Sequence, residues 1–332
     1  MEHAMTRFTR FSCLAAAFAA IVATAAANRT VAAEETVRLA YLKTLGIVPI
    51  IDAQQTGYFA KEGIKVEMIT LNNGPAVVSA VVGGSADIGF SATLPVISAV
   101  AEHQPIREFM ISGVERWPLQ EGIGEYVIAS ARSGAKTLQD LRGKTVASNA
   151  TNGGCDLTIR DHIRAAGIPA SAMKMAVIPF PQMKAALELG TVDAVCTIDP
   201  FSSAIMASPQ IKGTVLARGI IADLPQVGSF AIGGFFGRLD WLAKNKGAVA
   251  GFMRAIVAAD KDLAAHHDKY RQIIVDEFKM PVALADKIGF APNTGSVVAE
   301  PKQLETPIAA LVRTGLLKEA VPAADVVFMI QP

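Results

Sequence analysis

Val37–Met68, VRLAYLKTLGIVPIIDAQQTGYFAKEGIKVEM, is the stretch that decides the fold class. Val37 to Leu42 is apolar enough for a buried strand, and Leu45-Gly46 interrupts it. Ile47 to Gln55 then reads as a helix, and Gly57 stands where a left-handed helix cap is easily adopted. Ile64 to Leu71 is a second strand, so the segment is one strand–helix–strand unit. Downstream the alternation continues. Pro75 to Val82 is a helix with Pro just inside its start, Asp87 to Ser91 a strand, Leu94 to Glu102 a helix and Ile106 to Val114 a strand. Such alternation predicts an α/β protein built from parallel βαβ units.

The pattern then restarts. Tyr126 to Ser130 and Lys144 to Ser148 read as strands with a helical turn, Leu138 to Leu141, between them. Gly153 to Ala166 is a helix closed by Gly167, followed by strand, helix and strand at Lys174–Ile178, Met183–Leu189 and Val192–Ile198. Ser229 to Phe236 is one more strand, and beyond it Val249, Phe252, Met253, Ile256 and Val257 recur at helical spacing, as do Leu304, Ile308 and Leu311. Two α/β blocks, Val37–Val114 and Leu138–Val215, are expected, with the chain crossing near Gly124–Ser130 and returning near Val227–Phe236. The expected domains are therefore a leader, 1–33, a first lobe of 34–125 and 229–332, and a second lobe of 126–228. The helical tail is expected on the first lobe, and a two-crossing connection gives a hinge with a cleft between the lobes.

Upstream, Arg7 and Arg10 precede an apolar run, Phe11 to Ala27, which ends in small residues through Val31-Ala32-Ala33. This order is that of a secretory signal peptide, with cleavage expected after Ala33. The run is short for a membrane anchor, and Cys13 lies ahead of it, where a lipid anchor would not be built. The mature chain of about 300 residues is expected to be exported and to hold two lobes.

Composition excludes more than it identifies. A net charge of +1, with no zinc-finger spacing or basic-aromatic cluster, gives nucleic acid no footing. Cys155 and Cys196 remain after loss of the leader, and they either pair or stay as buried free thiols. His103, His162, His266 and His267 show no metal-ligand spacing, and there is neither a nucleophile elbow nor a phosphate-cradling loop. No cofactor and no metal is implied.

Four segments, in order, resemble the nitrate/sulfonate/taurine-type family of periplasmic substrate-binding proteins of ABC importers. They are the opening unit with its GYFAKEGIKVE connector, NNGPAVVSAVVGGSADIGFSAT at 72–93, TLQDLRGKTVASNATNGG at 137–154 and LELGTVDAVCTIDPF at 187–201. The resemblance implies a type II periplasmic-binding-protein fold of two closing α/β lobes. It also implies a non-enzymatic, monomeric solute-binding component that captures a small organic anion, such as a sulfonate or carboxylate, and docks transiently on an inner-membrane permease. An enzyme on the same fold, a lyase or pyrimidine-forming synthase, is one alternative. A ligand-sensing module presenting its closed state to a receptor is the other.

Candidate ligand residues lie at strand ends and helix starts. Asn152, Gly153 and Gly154 open a helix whose free N–H groups suit an anionic head group, although an ordinary Asn cap explains the same residues. Asn73 and Gly74, before Pro75, are the first-lobe counterpart, equally readable as simple helix initiation. Ser91, Ala92 and Thr93 end one strand, and Lys43, Thr44, Leu45 and Gly46 follow another, at the ends where α/β proteins bind ligands. Asp199 either accepts from the ligand or caps the helix beginning at Pro200. Trp117, beside Arg116, either stacks on a planar ligand or packs at the hinge, and Ser229 adds a hydroxyl near the return crossing.

Overall fold

The computed structural model describes residues 34–119, 124–289 and 297–332; the expected leader, 1–33, lies outside the described residues. Strand β1 (Glu35–Leu42) pairs in parallel with β2 (Ile64–Leu71) along its whole length, from Glu35 opposite Ile64 to Leu42 opposite Leu71. Its other edge pairs in parallel with β3 (Ile88–Ala92). The alternation along β1 serves two cores at once. Val37, Leu39 and Tyr41 enter one, while Ala40 and Leu42 enter the other, as the two-residue period of a strand requires.

Two five-stranded sheets result. The first has the order β2-β1-β3-β10-β4, with β4 Ile106–Arg116 and β10 Ser229–Arg238. The second has the order β7-β6-β8-β5-β9, with β5 Glu125–Ala129, β6 Thr145–Ser148, β7 Lys174–Val177, β8 Ala194–Ile198 and β9 Thr214–Arg218. Neither sheet is wholly parallel, which departs from the expectation of βαβ units alone. β10 runs antiparallel between β3 and β4, and β5 runs antiparallel between β8 and β9. Each of these strands arrives from the other sheet, so it enters from the opposite end and runs against its neighbours.

Helices cover the sheets. Helix α1 (Val48–Gln55) packs against the long α7 (Lys246–Ala265), whose Phe252 meets Phe59, Phe109 and Phe235 at ring-centroid distances of 5.2, 6.4 and 5.1 Å. Helices α2 (Gly74–Val82) and α3 (Thr93–Ala101) lie on the other face. The second sheet carries α4 (Gly154–Ala165), α5 (Phe180–Leu189) and α6 (Phe201–Met206). Helix α8 (His267–Phe278) packs on α1, and α9 (Pro301–Arg313) packs on β10 and α3.

Helix α9 also reaches the second sheet's helices, so the tail is not confined to the first sheet. Arg313 Nε pairs with Asp161 of α4 at 2.8 Å, and Nη2 with Asp223 at 2.9 Å. Asp161 is fully buried. Burial pushes its carboxyl upward, but Arg313 and the Ala222 N–H more than offset this and hold it below the ordinary Asp value. Residues 35–332 form one compact unit.

Candidate functional site

A cavity of about 250 Å³ opens where the strand ends of both sheets meet. From the first sheet it takes Leu42 at the end of β1, Ser91 and Ala92 at the end of β3, and Ser112 and Arg116 of β4. The second sheet contributes Glu125 at the start of β5, Asn149 just after β6, Gly154 and Cys155 at the start of α4, and Asp199 just past β8. Ile256 and Asp260 of α7 and Tyr270 of α8 close it from the helical side. Strand carboxyl ends face such crevices because the helices that follow them diverge there.

The walls are largely aromatic and aliphatic, as expected of a small-molecule site. Phe90 and Phe235 lie 5.0 Å apart between centroids, and Phe180 stacks on Phe201 at 5.6 Å. Gly46 permits this closeness, since a Cβ there would stand 2.2 Å from Phe90 Cζ.

Of the residues expected from sequence, Thr44, Leu45, Gly46, Ser91, Ala92, Gly154 and Asp199 line the cavity. The others stand elsewhere with local partners. Lys43 Nζ pairs with Glu277 at 3.0 Å over the Phe278 ring. Asn73 caps α2 by accepting the Ala76 N–H at 2.9 Å, and Gly74 is the buried first residue of that helix. Thr93 is buried and donates to Glu108 Oε1 at 2.9 Å. Asn152 donates its N–H to Asp156, and Gly153 is the N-cap of α4. Trp117 is 49% exposed and its N–H donates to Gly228, while Ser229 is exposed opposite Arg116. Asp199 lines the cavity and caps α6 as well, accepting from the Ser202 and Ser203 hydroxyls at 2.6 Å each.

Two acidic residues of the site, Glu125 and Asp260, escape a reading of strand-end loops. Glu125 is 7% exposed, and its Oε1 lies 3.3 Å from where a Gly154 Cβ would stand, so its carboxyl sits beside the first turn of α4. Burial, followed by the repulsion of Glu115, raises its pKa well above the ordinary Glu value. Glu115 accepts the Ile220 N–H at 2.6 Å, yet burial still pushes it up to about 7. On the neighbouring strand β9, Arg218 stacks over Tyr126 of β5 at 5.4 Å. Asp260 is likewise 7% exposed, and burial, then repulsion from Asp52, raises it to about 7. One signal did exist in the sequence. Val249, Phe252, Met253 and Ile256 form an apolar helical stripe, and Asp260 is its next member.

Two α/β sheets with interchanged strands and a cavity at their strand ends define the periplasmic binding-protein fold. Solved structures agree. The alkanesulfonate-binding protein SsuA of Xanthomonas axonopodis pv. citri, bound to MOPS, superposes with a TM-score of 0.73 at 19% identity, over 89% of this chain and 98% of that one. The aliphatic sulphonate binding protein SsuA of Escherichia coli gives 0.70 at 19% identity, over 90% and 94%. The chain belongs to the NMT1-like family, whose pattern matches residues 31–275. By sequence it is 26% identical to an Escherichia coli (strain K12) protein named as an aliphatic sulfonates-binding protein, over 69% of this chain and 68% of that protein. It is 24% identical to the nitrate/nitrite binding protein NrtA of Nostoc sp., over 76% of this chain and 59% of that one. Both sequence relatives are named as binding proteins, not as enzymes. No helix among the described residues is long and apolar enough to cross a membrane.

Proposed function

We propose that this protein is the periplasmic solute-binding component of an ABC importer, capturing a small organic molecule with an acidic head group. The observation that carries the proposal is that one cavity takes residues from the strand ends of both sheets. A solute held there bridges the two, and closure is favoured because only the closed arrangement makes both sets of contacts. Arg116 supplies a cationic side chain at the cavity wall, and Ser91, Ser112 and Asn149 supply neutral hydrogen-bonding groups. The relatives named for sulfonates and nitrate support an acidic head group, and the aromatic walls support an organic body. The chain crosses between the two sheets twice, from β4 to β5 and from β9 to β10, and delivery is to a membrane permease by a monomer.

The test is a thermal-shift screen of sulfonates, carboxylates, nitrate and pyrimidines on the purified mature protein. A binder present at a hundred times its Kd adds about 2.7 kcal/mol to the folded state and raises the melting temperature accordingly. Turnover of a bound compound would replace capture by catalysis. No shift with any member would remove capture from the account.

A further inference from the structure

The cavity holds more acid than its proposed role requires. Glu125, Asp199 and Asp260 face it, against the single guanidinium of Arg116 among its described lining residues. Asp199 is accounted for by the Ser202 and Ser203 hydroxyls that it accepts as a helix cap. The other two are not accounted for. Glu125 and Asp260 are both more than nine-tenths buried, at 7% exposure each. Glu125 Oε2 has no hydrogen-bond partner among the described residues. No described donor reaches the Asp260 carboxyl either, and its charged neighbour Asp52 repels it while being itself engaged by Lys269. Buried carboxyl oxygens that no donor reaches are costly, so natural folds rarely keep them in the absence of a use. Here the two stand on different elements, α7 and β5, and share the one cavity.

The sign of what they lack is fixed by their chemistry. An ionised carboxyl only accepts hydrogen bonds, so each lacks a donor. A solute that is an anion and nothing more would have to hold both groups protonated. An N–H group, and above all a positively charged one, supplies the missing donor and draws both carboxyls to the ionised form.

We propose that Asp260 and Glu125 select the solute, and that they select one bearing a nitrogen-bound proton donor, an ammonium or amidinium group, on an apolar or aromatic body. The inference rests on the reading of this cavity as the capture site, and it narrows the class of solute. The acidic head group then meets Arg116, and the nitrogen meets the carboxyls.

Matched probes that differ in the nitrogen cation test it by calorimetric titration. They are 4-(aminomethyl)benzenesulfonate against 4-methylbenzenesulfonate, and benzamidine against benzamide. In each pair the nitrogen cation is expected to bind tighter by about tenfold or more, the range of a single charge-assisted hydrogen bond. Asp260→Asn and Glu125→Gln are each expected to shrink that ratio, by weakening the nitrogen cation and, for the anion 4-methylbenzenesulfonate, by relieving the repulsion of the lost carboxyl. Both replacements remove an ionisable carboxyl and keep the volume, and a melting curve of each variant checks that it is folded. Equal or tighter binding of 4-methylbenzenesulfonate or benzamide overturns the inference and leaves capture standing. Discrimination that persists undiminished in both variants overturns the assignment to these residues. Failure of every probe, and of the wider solute panel, overturns capture itself and the inference with it.

Discussion

Replacing Asp260 by Asn gives the sharpest physical test of the buried acid, because it can be read without any ligand. The carboxyl is 7% exposed, and burial together with Asp52 raises its pKa from 3.8 to about 7. A carboxyl whose folded value lies above its unfolded value imposes no penalty well below pH 3.8, where both states are protonated. The penalty accumulates as pH rises between the two values, because the unfolded chain ionises more easily, and it is complete above about pH 7. At 1.36 kcal/mol for each tenfold, ionised Asp260 costs the wild-type fold about 4 kcal/mol at pH 8. An Asn amide in the same place carries some unpaired-amide cost, but that cost does not change with pH. The stability of the Asn variant minus that of wild type is therefore expected to grow by about 4 kcal/mol from pH 4 to pH 8. Urea denaturation at a series of pH values measures this difference directly, and subtraction removes the raised carboxyls that both proteins share, Glu108, Glu115 and Glu125. A difference that stays flat to within about 1 kcal/mol across that range would show that Asp260 is solvated or partnered, and the account of the site would fail with it.

Two further outcomes follow from single residues. Arg313→Ala removes the closer of two guanidinium partners of the fully buried Asp161, and a loss at or below the low end of about 3–5 kcal/mol is expected near pH 7, since the Ala222 N–H and Arg164 at 3.3 Å still serve the carboxyl. Because the folded-state pKa of Asp161 is depressed, this contribution is present at neutral pH and fades as pH falls through the acid range, so wild type and variant should converge there in urea titrations. Cys155 and Cys196 are both buried, free thiols with pKa values raised chiefly by burial. Iodoacetamide is expected to label neither in the native protein and both after denaturation without reductant, as read by mass spectrometry; a protein that stays unlabelled when unfolded would instead contain a disulfide.

How much of this was legible beforehand depends on whether a residue's role is decided locally. The strand–helix–strand unit at Val37–Met68 is readable because apolar period and turn glycines act over a few residues. The directions of β5 and β10 are not, because alternation says that a strand is half-buried and nothing about which neighbour it runs against. The same division runs through the site. Asn73 and Asp199 each allowed a local reading as helix caps, and both serve as caps. Thr44, Leu45, Gly46, Ser91 and Ala92 were readable as crevice residues because position at a strand end is itself local. Glu125 and Asp260 have no local account: one opens a buried strand, the other sits on an apolar helical stripe, and each is an anomaly until the two sheets are brought together. Once Asn73, Thr93 and Asn152 are seen to have their own partners, the unsatisfied bonding capacity of the cavity falls on carboxyls that no nearby residue explains. A fold that tolerates that cost at a solute cavity keeps the two carboxyls for a molecule that brings the missing donors with it.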